Sequence, residues 1–321
     1  MRCIITGGAG FIGSHLTEQL LRNKDEVLCV DDLSRGNLSN LEIANKSKNF
    51  RFVQGNLSSQ EFAHQAIRDA EIVYHLAAVN GTRFFYEKPR FVIETNIKTT
   101  ENVLEAANRN GIGKVVFASS SEVYGYPTEF PTPETAQLVF DSPVVSRWSY
   151  AISKLSDEHL CFAYQKEFGL SVTCLRIFNT YGPRLDGSPY GQVVSIFIKR
   201  ALGGQDLEIF GSGDQTRSFA YVGDTVRGIT LSAKYASKNP EIFNIGSEIE
   251  VSINDLAERI IAACQKFSEN IRIIHLPEMT GDSPRRHPSL QKAKELLGYT
   301  PTVSLEEGLR YTIDWFRSGR N

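Results

Sequence analysis

The sequence predicts an α/β protein built on a doubly wound parallel sheet, followed by a smaller α/β lobe. Three observations carry that prediction. Short apolar runs alternate with segments of helical period from residue 3 to 176, with few hairpin signals between them. The first run opens into a turn holding Gly7, Gly10 and Gly13, and the second ends in Asp31 and Asp32. After Arg176 the texture changes to Gly, Pro, Asp and Tyr over 179–191, and shorter mixed elements follow.

The bulk properties agree with a globular chain. It has 321 residues, 41% of them hydrophobic, and a formal net charge of −2, so no excess of Lys and Arg is available for nucleic acid or a membrane surface. Cys3, Cys29, Cys161, Cys174 and Cys264 are widely spaced in apolar segments, with no Cys-x-x-Cys pair for a metal or a redox disulfide. Buried reduced thiols are expected. Residue 1 leads straight into a strand with no basic-then-apolar leader, and no apolar run approaches the roughly 18 residues of a membrane helix. A soluble, cytoplasmic protein is expected.

In chain order, Cys3-Ile4-Ile5 reads as a strand, and Phe11, Ile12, Leu16, Leu20 and Leu21 recur at helical spacing after it. The glycines therefore sit at a strand-to-helix turn. One allows the sharp turn, one lets a pyrophosphate approach the main chain, and one lets helix and strand pack closely, with helix N–H groups facing the phosphates. The spacing is Gly-x-x-Gly-x-x-Gly rather than Gly-x-Gly-x-x-Gly. A Rossmann-type dinucleotide-binding domain follows. Residues 26–32 form the second strand, and Asp31 is the candidate for the adenosine ribose hydroxyls. A carboxylate there repels the extra phosphate of NADP and favours NAD, although Arg35 close behind leaves NADP within reach.

Further strands are expected at 49–53, 72–76, 114–118 and 172–176, with helices around 59–69, 88–109 and 150–168. His75, on an apolar strand, reads as a core residue. Beyond 176 the pattern predicts a helix at 192–203, a strand at 207–210, a helix near 223–236 and a strand at 242–245. Helices near 252–268 and 289–296 and an amphipathic one from about 304 complete it. The expected division is an NAD-binding domain over 1–176 and a second lobe over 177–321, with parts of about 217–246 returning to the first.

A second constellation lies at the carboxyl edge of the expected sheet. Ser119-Ser120-Ser121-Glu122-Val123-Tyr124-Gly125 follows a strand, and Tyr150-Ala151-Ile152-Ser153-Lys154 opens a helix with Tyr and Lys four apart on one face. A phenol with a pKa of about 10 needs help to act as a base near neutrality. An ammonium one turn away supplies it, since an opposite charge moves a pKa by about one to three units. Tyr150 is thus the expected base that takes a hydroxyl proton while the carbon's hydride leaves for a nicotinamide.

With these motifs in place the sequence resembles the extended short-chain dehydrogenase/reductases that modify nucleotide sugars, among them epimerases, dehydratases and decarboxylases. The resemblance runs nearly end to end, through Thr6 to Gly13, Val30 to Ser34, His75 to Ala78, Asn96, Ser119 to Gly125, Tyr150 to Lys154, Arg176 to Pro183, and Gly211 to Gly213 with Arg217. It implies that Tyr150 and Lys154 are the catalytic base and its partner, with Lys154 also on the nicotinamide ribose. It implies further that Ser120 and Ser121 contact the sugar hydroxyl. Gly7, Gly10, Phe11, Ile12, Gly13, Asp31, Asp32, Leu76, Ala77 and Ala78 would line the cofactor. Asn179, Arg217 and Arg286 would bind the nucleotide diphosphate. At Gly55-Asn56-Leu57 many relatives have an Asp beside the adenine, so Asn56 and Leu57 keep the site but alter a detail. Relatives often form homodimers through the helices at 88–109 and 150–168, and Leu155, Leu160, Phe162 and Ala163 are compatible with that or with a core.

The shared first step implied is oxidation at C4 of the sugar by an NAD that is retained and recycled. Ser-x-Ser-Glu-Val-Tyr-Gly resembles the UDP-glucuronate decarboxylases, as do Arg147, the 179–184 segment and Arg285-Arg286-His287-Pro288-Ser289. A 4-ketone lies beta to the C6 carboxylate, which an Arg could orient, and Glu122 is the acidic group beside it. The stretch Asn80 to Phe85 departs from typical decarboxylases. The order of readings is UDP-glucuronate decarboxylase, then UDP-hexose or UDP-hexuronate 4-epimerase, then 4,6-dehydratase, whose usual Asp before the Glu is Ser121 here. A non-catalytic NAD-binding regulator would be expected to have lost Tyr150 or Lys154.

Overall fold

The computed structural model describes residues 1–188, 190–237, 239–264 and 270–319. Strand β1 (Arg2–Thr6) passes through the glycine turn into α1 (Phe11–Arg22), followed by β2 (Glu26–Asp31), β3 (Phe50–Gln54), α2 (Gln60–Ala66) and β4 (Ile72–His75). Then come α3 (Thr82–Glu87), α4 (Pro89–Arg109), β5 (Lys114–Ser120), α5 (Ser149–Phe168) and β6 (Ser171–Ile177). Next are β7 (Thr180–Tyr181), α6 (Val193–Leu202), β8 (Leu207–Phe210), β9 (Thr216–Ser218) and β10 (Ala220–Tyr221). The chain continues with α7 (Val222–Lys234), β11 (Glu241–Ile245), β12 (Glu250–Ser252) and α8 (Ile253–Cys264). It closes with β13 (Ile273–Leu276), β14 (Arg285–Arg286), α9 (Gln291–Leu297) and α10 (Leu305–Arg317).

Seven strands form one parallel sheet in the order β11-β6-β5-β4-β1-β2-β3. The order reverses between β1 and β4, and in open α/β sheets ligands bind beyond the strand ends at that point. The alternation of side chains explains the continuous apolar runs. From β1, Cys3 and Ile5 join Leu16 and Leu20 of α1 and Val226 and Ile229 of α7, whereas Ile4 joins Val103 and Ala107 of α4 and Cys161 of α5. Both faces are therefore covered.

The chain returns to this sheet after leaving it: β11 pairs with β6, Ile242 opposite Cys174. The other elements build a second core from Phe197 and Ile198 of α6, Leu207 and Ile209 of β8, Leu256 and Ile260 of α8, and Leu309 and Ile313 of α10. Residues 265–268 of the expected helix 252–268 lie outside the described residues. Helix α3 is an addition to what the sequence predicts, because six residues are too few to display a period. Pro89 at the first position of α4 separates the two helices. All five cysteines are buried and unpaired.

One buried ion pair ties α5 to the sheet. Arg176 of β6 meets Glu158 of α5 through Nε to Oε1 at 3.0 Å and Nη2 to Oε2 at 2.8 Å, and the Ser119 hydroxyl of β5 donates to Oε1 at 2.5 Å. The two charged side chains are 5% and 3% exposed. Removing one charge strands the other in a medium that solvates it poorly. Glu158→Gln is expected to lower stability by about 3 kcal/mol or more, read as a fall in the urea midpoint with an unchanged slope.

Candidate active site

A cleft of about 1110 Å³ opens at the carboxyl edge of the sheet between the two cores, and every site residue expected from the sequence lines it. At the first end, Gly7 takes φ +70° and a side chain on Gly13 would place its Cβ 2.1 Å from the Gly7 carbonyl oxygen. Only glycine permits that approach. Helix α1 begins at Phe11, after Gly10, with no side-chain cap and no acidic residue in its first turn, and Gly10 to Gly13 line the cleft. The Asp31 carboxylate accepts from Ala9 N at 3.0 Å and Leu33 N at 2.8 Å, which fixes the glycine turn against the end of β2. Asp32 is exposed and accepts from Ser34 N. Phe11, Ile12, Asn56, Leu57, Leu76, Ala77 and Ala78 supply the remaining walls of this end. A tight glycine turn, an uncapped helix start and a buried acid at the second strand fit a dinucleotide.

Arg35 is committed elsewhere than to a ribose phosphate. Its guanidinium pairs with Asp186 at 3.1 Å, donates to the Tyr190 carbonyl and lies 5.3 Å from the Phe84 ring centre. His75 bonds Thr6 Oγ1 at 2.7 Å and Thr100 Oγ1 at 3.2 Å, and burial pushes its pKa down to about 3.

At the centre, Tyr150 is 6% exposed and Lys154 1%, one turn apart at the start of α5. The Lys154 ammonium lies 4.5 Å from the Phe117 ring centre and 6.0 Å from that of Tyr150. Burial raises the Tyr150 pKa, the charges on Glu122 and Asp157 raise it further, and the hydrogen bond with Ser120 opposes them. Desolvation acts through all the surroundings of the phenol, whereas one ammonium acts at a distance. Ser121 is buried beside them.

The second end is a set of buried guanidiniums. Arg147, on a single 3-10 turn at Ser146–Trp148, donates from Nη2 to Glu122 Oε1 at 2.8 Å and lies with Nη1 2.8 Å from Oε2. Arg286 of β14 grips the same carboxylate through Nη1 to Oε1 and through Nη2 to Oε2 at 2.9 Å. Arg217 of β9 donates to Asp282 at 2.8 Å. Burial opposes the charge on Glu122, but the two guanidiniums outweigh it and hold its carboxyl well below the ordinary range. Glu122 is thus not the free acid beside the sugar that the sequence suggests: it is an ionised counterion, and Arg147, Arg217 and Arg286 are all engaged. Asn179, half-buried, lines the same end.

Several lining residues escape the sequence reading. Phe85 of α3 stacks on Tyr150, centroids 4.9 Å apart and planes 9° apart, with Arg147 5.2 Å from its ring centre. Tyr86 donates to the Thr280 carbonyl at 2.7 Å, and Phe84 packs on Tyr190. The only available signal is the aromatic run Phe84-Phe85-Tyr86 in an otherwise polar stretch. Among the described residues no cluster of His, Cys, Asp or Glu suits a metal ion.

Comparison with known proteins gives three kinds of likeness. The profile of the NAD dependent epimerase/dehydratase family matches residues 3–246. UDP-N-acetyl-alpha-D-glucosaminuronate decarboxylase of Bacillus cytotoxicus is 41% identical, with 100% of this chain and 99% of that protein covered. UDP-glucuronic acid decarboxylase 1 of Xenopus tropicalis is 38% identical, covering 98% of this chain and 72% of that one. Among solved structures, UDP-glucuronic acid 4-epimerase from Bacillus cereus, in complex with UDP-glucuronic acid and NAD, superposes with a TM-score of 0.90 at 30% identity, over 99% of each chain.

The depressed pKa of Glu122 sets a pH signature. A carboxylate held below its unfolded value of 4.5 contributes stability that is present above about that pH and is lost as the pH falls below it. Glu122→Gln is therefore expected to be less stable than the parent at neutral pH, with the gap closing below about pH 4.5 in acid-titrated unfolding.

Proposed function

The chain belongs to the NAD dependent epimerase/dehydratase family, and within it we propose that the protein decarboxylates a UDP-hexuronate, UDP-glucuronate first, through a ketone at C4 of the sugar. The observation that carries the proposal is the convergence of Arg147 and Arg286 on one carboxylate beside Tyr150. Each guanidinium offers a planar fork that matches a carboxylate, so both are assigned to the C6 carboxylate, and Arg286 moves there from the diphosphate role that the resemblance implies. Arg217 and Asn179, which line the same end of the cleft, take the diphosphate in this reading, and Lys154 takes the nicotinamide ribose.

The cofactor is NAD, whose nicotinamide supplies a hydride acceptor at C4 and later the donor. Tyr150 Oη takes the proton of the C4 hydroxyl, with Ser120 Oγ hydrogen-bonded to the phenol and Ser121 beside it. A ketone at C4 puts the C6 carboxylate beta to a carbonyl. The C5–C6 bond then breaks and its electron pair runs to the C4 oxygen, giving an enolate that Tyr150 and Ser120 hold; C5 takes up a proton from water, C4 takes back the hydride, and Tyr150 returns its proton to the C4 oxygen. The substrate carboxylate displaces Glu122 from the arginine forks. Its loss as neutral carbon dioxide lets Glu122 take them back, so the guanidiniums are never left buried without a partner.

A second reading is 4-epimerisation of the same uronate, favoured by the likeness to the Bacillus cereus epimerase, whose substrate carries the same carboxylate. The arginine pair selects a uronate in either case, and the decarboxylases, 38% and 41% identical over nearly the whole chain, place carbon dioxide loss first. These two relatives differ in the C2 substituent of their named substrates. As to setting, we read a cytoplasmic homodimer: the five thiols are unpaired, and Phe91 of α4 and Ile152 and Phe168 of α5 stand exposed along the expected interface. No helix among the described residues is long and apolar enough to cross a membrane.

Incubated with NAD and UDP-glucuronate, the protein is expected to release carbon dioxide and form a UDP-pentose. UDP-N-acetylglucosaminuronate supplied in parallel defines the C2 preference. Appearance of UDP-galacturonate with no loss of mass overturns decarboxylation in favour of epimerisation. Tyr150→Phe is expected to keep NAD and bind the UDP-sugar while turnover falls by about 100-fold or more, and full activity would remove Tyr150 from its role.

A further inference from the structure

Asp157 is a buried acid that the proposed chemistry leaves unused. It lies three residues after Lys154 on α5 and is 0% exposed, and the hydrogen bond that bears on its carboxylate comes from the Thr100 hydroxyl of α4. A lone carboxylate in such a place is costly unless an opposite charge faces it.

The ionisable groups around Asp157 and Lys154 leave one such charge. On its own helix, Glu158 is taken up by Arg176 of β6. Cys174 of β6 is kept a thiol by burial, the thiol of Cys161 adds no cation, and His75 of β4 is kept neutral. The Thr100 hydroxyl of α4 is the remaining polar neighbour, and its proton is directed. Thr6 Oγ1 accepts from Leu76 N and Ala77 N at 3.2 Å each, so its own proton goes to His75 Nδ1. His75 then carries its proton on Nε2 and donates to Thr100 Oγ1, which leaves the Thr100 proton for Asp157. Lys154, three residues earlier on the same helix, is thus the cation among the described residues whose charge bears on Asp157.

We propose that Asp157 is a positioning residue whose carboxylate keeps the Lys154 ammonium charged and in place behind Tyr150. The reciprocal effects agree. Burial lowers the Lys154 pKa and Asp157 is the foremost group raising it, while burial pushes Asp157 up to about 6 and Lys154 opposes that. Above about pH 6 the carboxylate is ionised and supports the ammonium, so its removal matters on the alkaline side, where Lys154 loses its proton.

The inference rests on the proposed role of Lys154, and its test has one arm that needs neither NAD nor substrate. In protein labelled with carbon-13 lysine, the Lys154 signal, assigned by its loss in Lys154→Arg, is titrated by NMR in the parent, Asp157→Asn and Asp157→Glu. The Asn variant is expected to titrate about one unit lower, with the alkaline limb of kcat/KM moving by the same amount, and the Glu variant to recover both. Coincident midpoints in parent and Asn variant, or a limb that stays put while the Lys154 signal moves, overturn the proposal. Should the Asn variant fail to fold, Asp157→Ala carries the same expectation. If the protein proves inactive on UDP-glucuronate, the proposed reaction fails while the NMR titration still decides the role of Asp157.

Discussion

A charge taken out of water needs a partner that has also left water, and this cleft is assembled from such partnerships. Glu122, just past the end of β5, is held by one guanidinium from the turn before α5 and another from β14. Arg217 of β9 is held by Asp282, and Glu158 of α5 by Arg176 of β6. None of these pairs lies within a single element. The Glu122–Arg286 pair spans 164 residues and joins the two lobes, so the docking of the second lobe and the shaping of this end of the site share one ion pair.

Much of the fold is legible in the sequence, for a physical reason. Strands buried on both faces leave unbroken apolar runs, as at 114–118, and long helices repeat their period, so 88–109 and 150–168 fall within one residue of α4 and α5. Strands of two or three residues such as β9, β12 and β14 cannot display a period, and α3 is hidden in the same way. They are set by pairing with partners elsewhere in the chain.

The site divides along the same line. Tyr150 and Lys154 are legible because their relation is local, four residues on one helix. Phe85, Asp282 and Asp157 are not, since an aromatic residue on a short helix, an acid in a loop or an acid on a long helix gains its meaning only from what covers it. The pKa of Tyr150 likewise depends on what lies beyond its own helix, since burial raises it most and the Glu122 carboxylate next.

The stacking of Phe85 on Tyr150 ties the phenol to an element outside the sheet. With the rings nearly parallel at 4.9 Å, turning the phenol out of its plane breaks the stack, at a cost of about 1 kcal/mol. The orientation of the phenol thus depends on a six-residue helix as well as on α5.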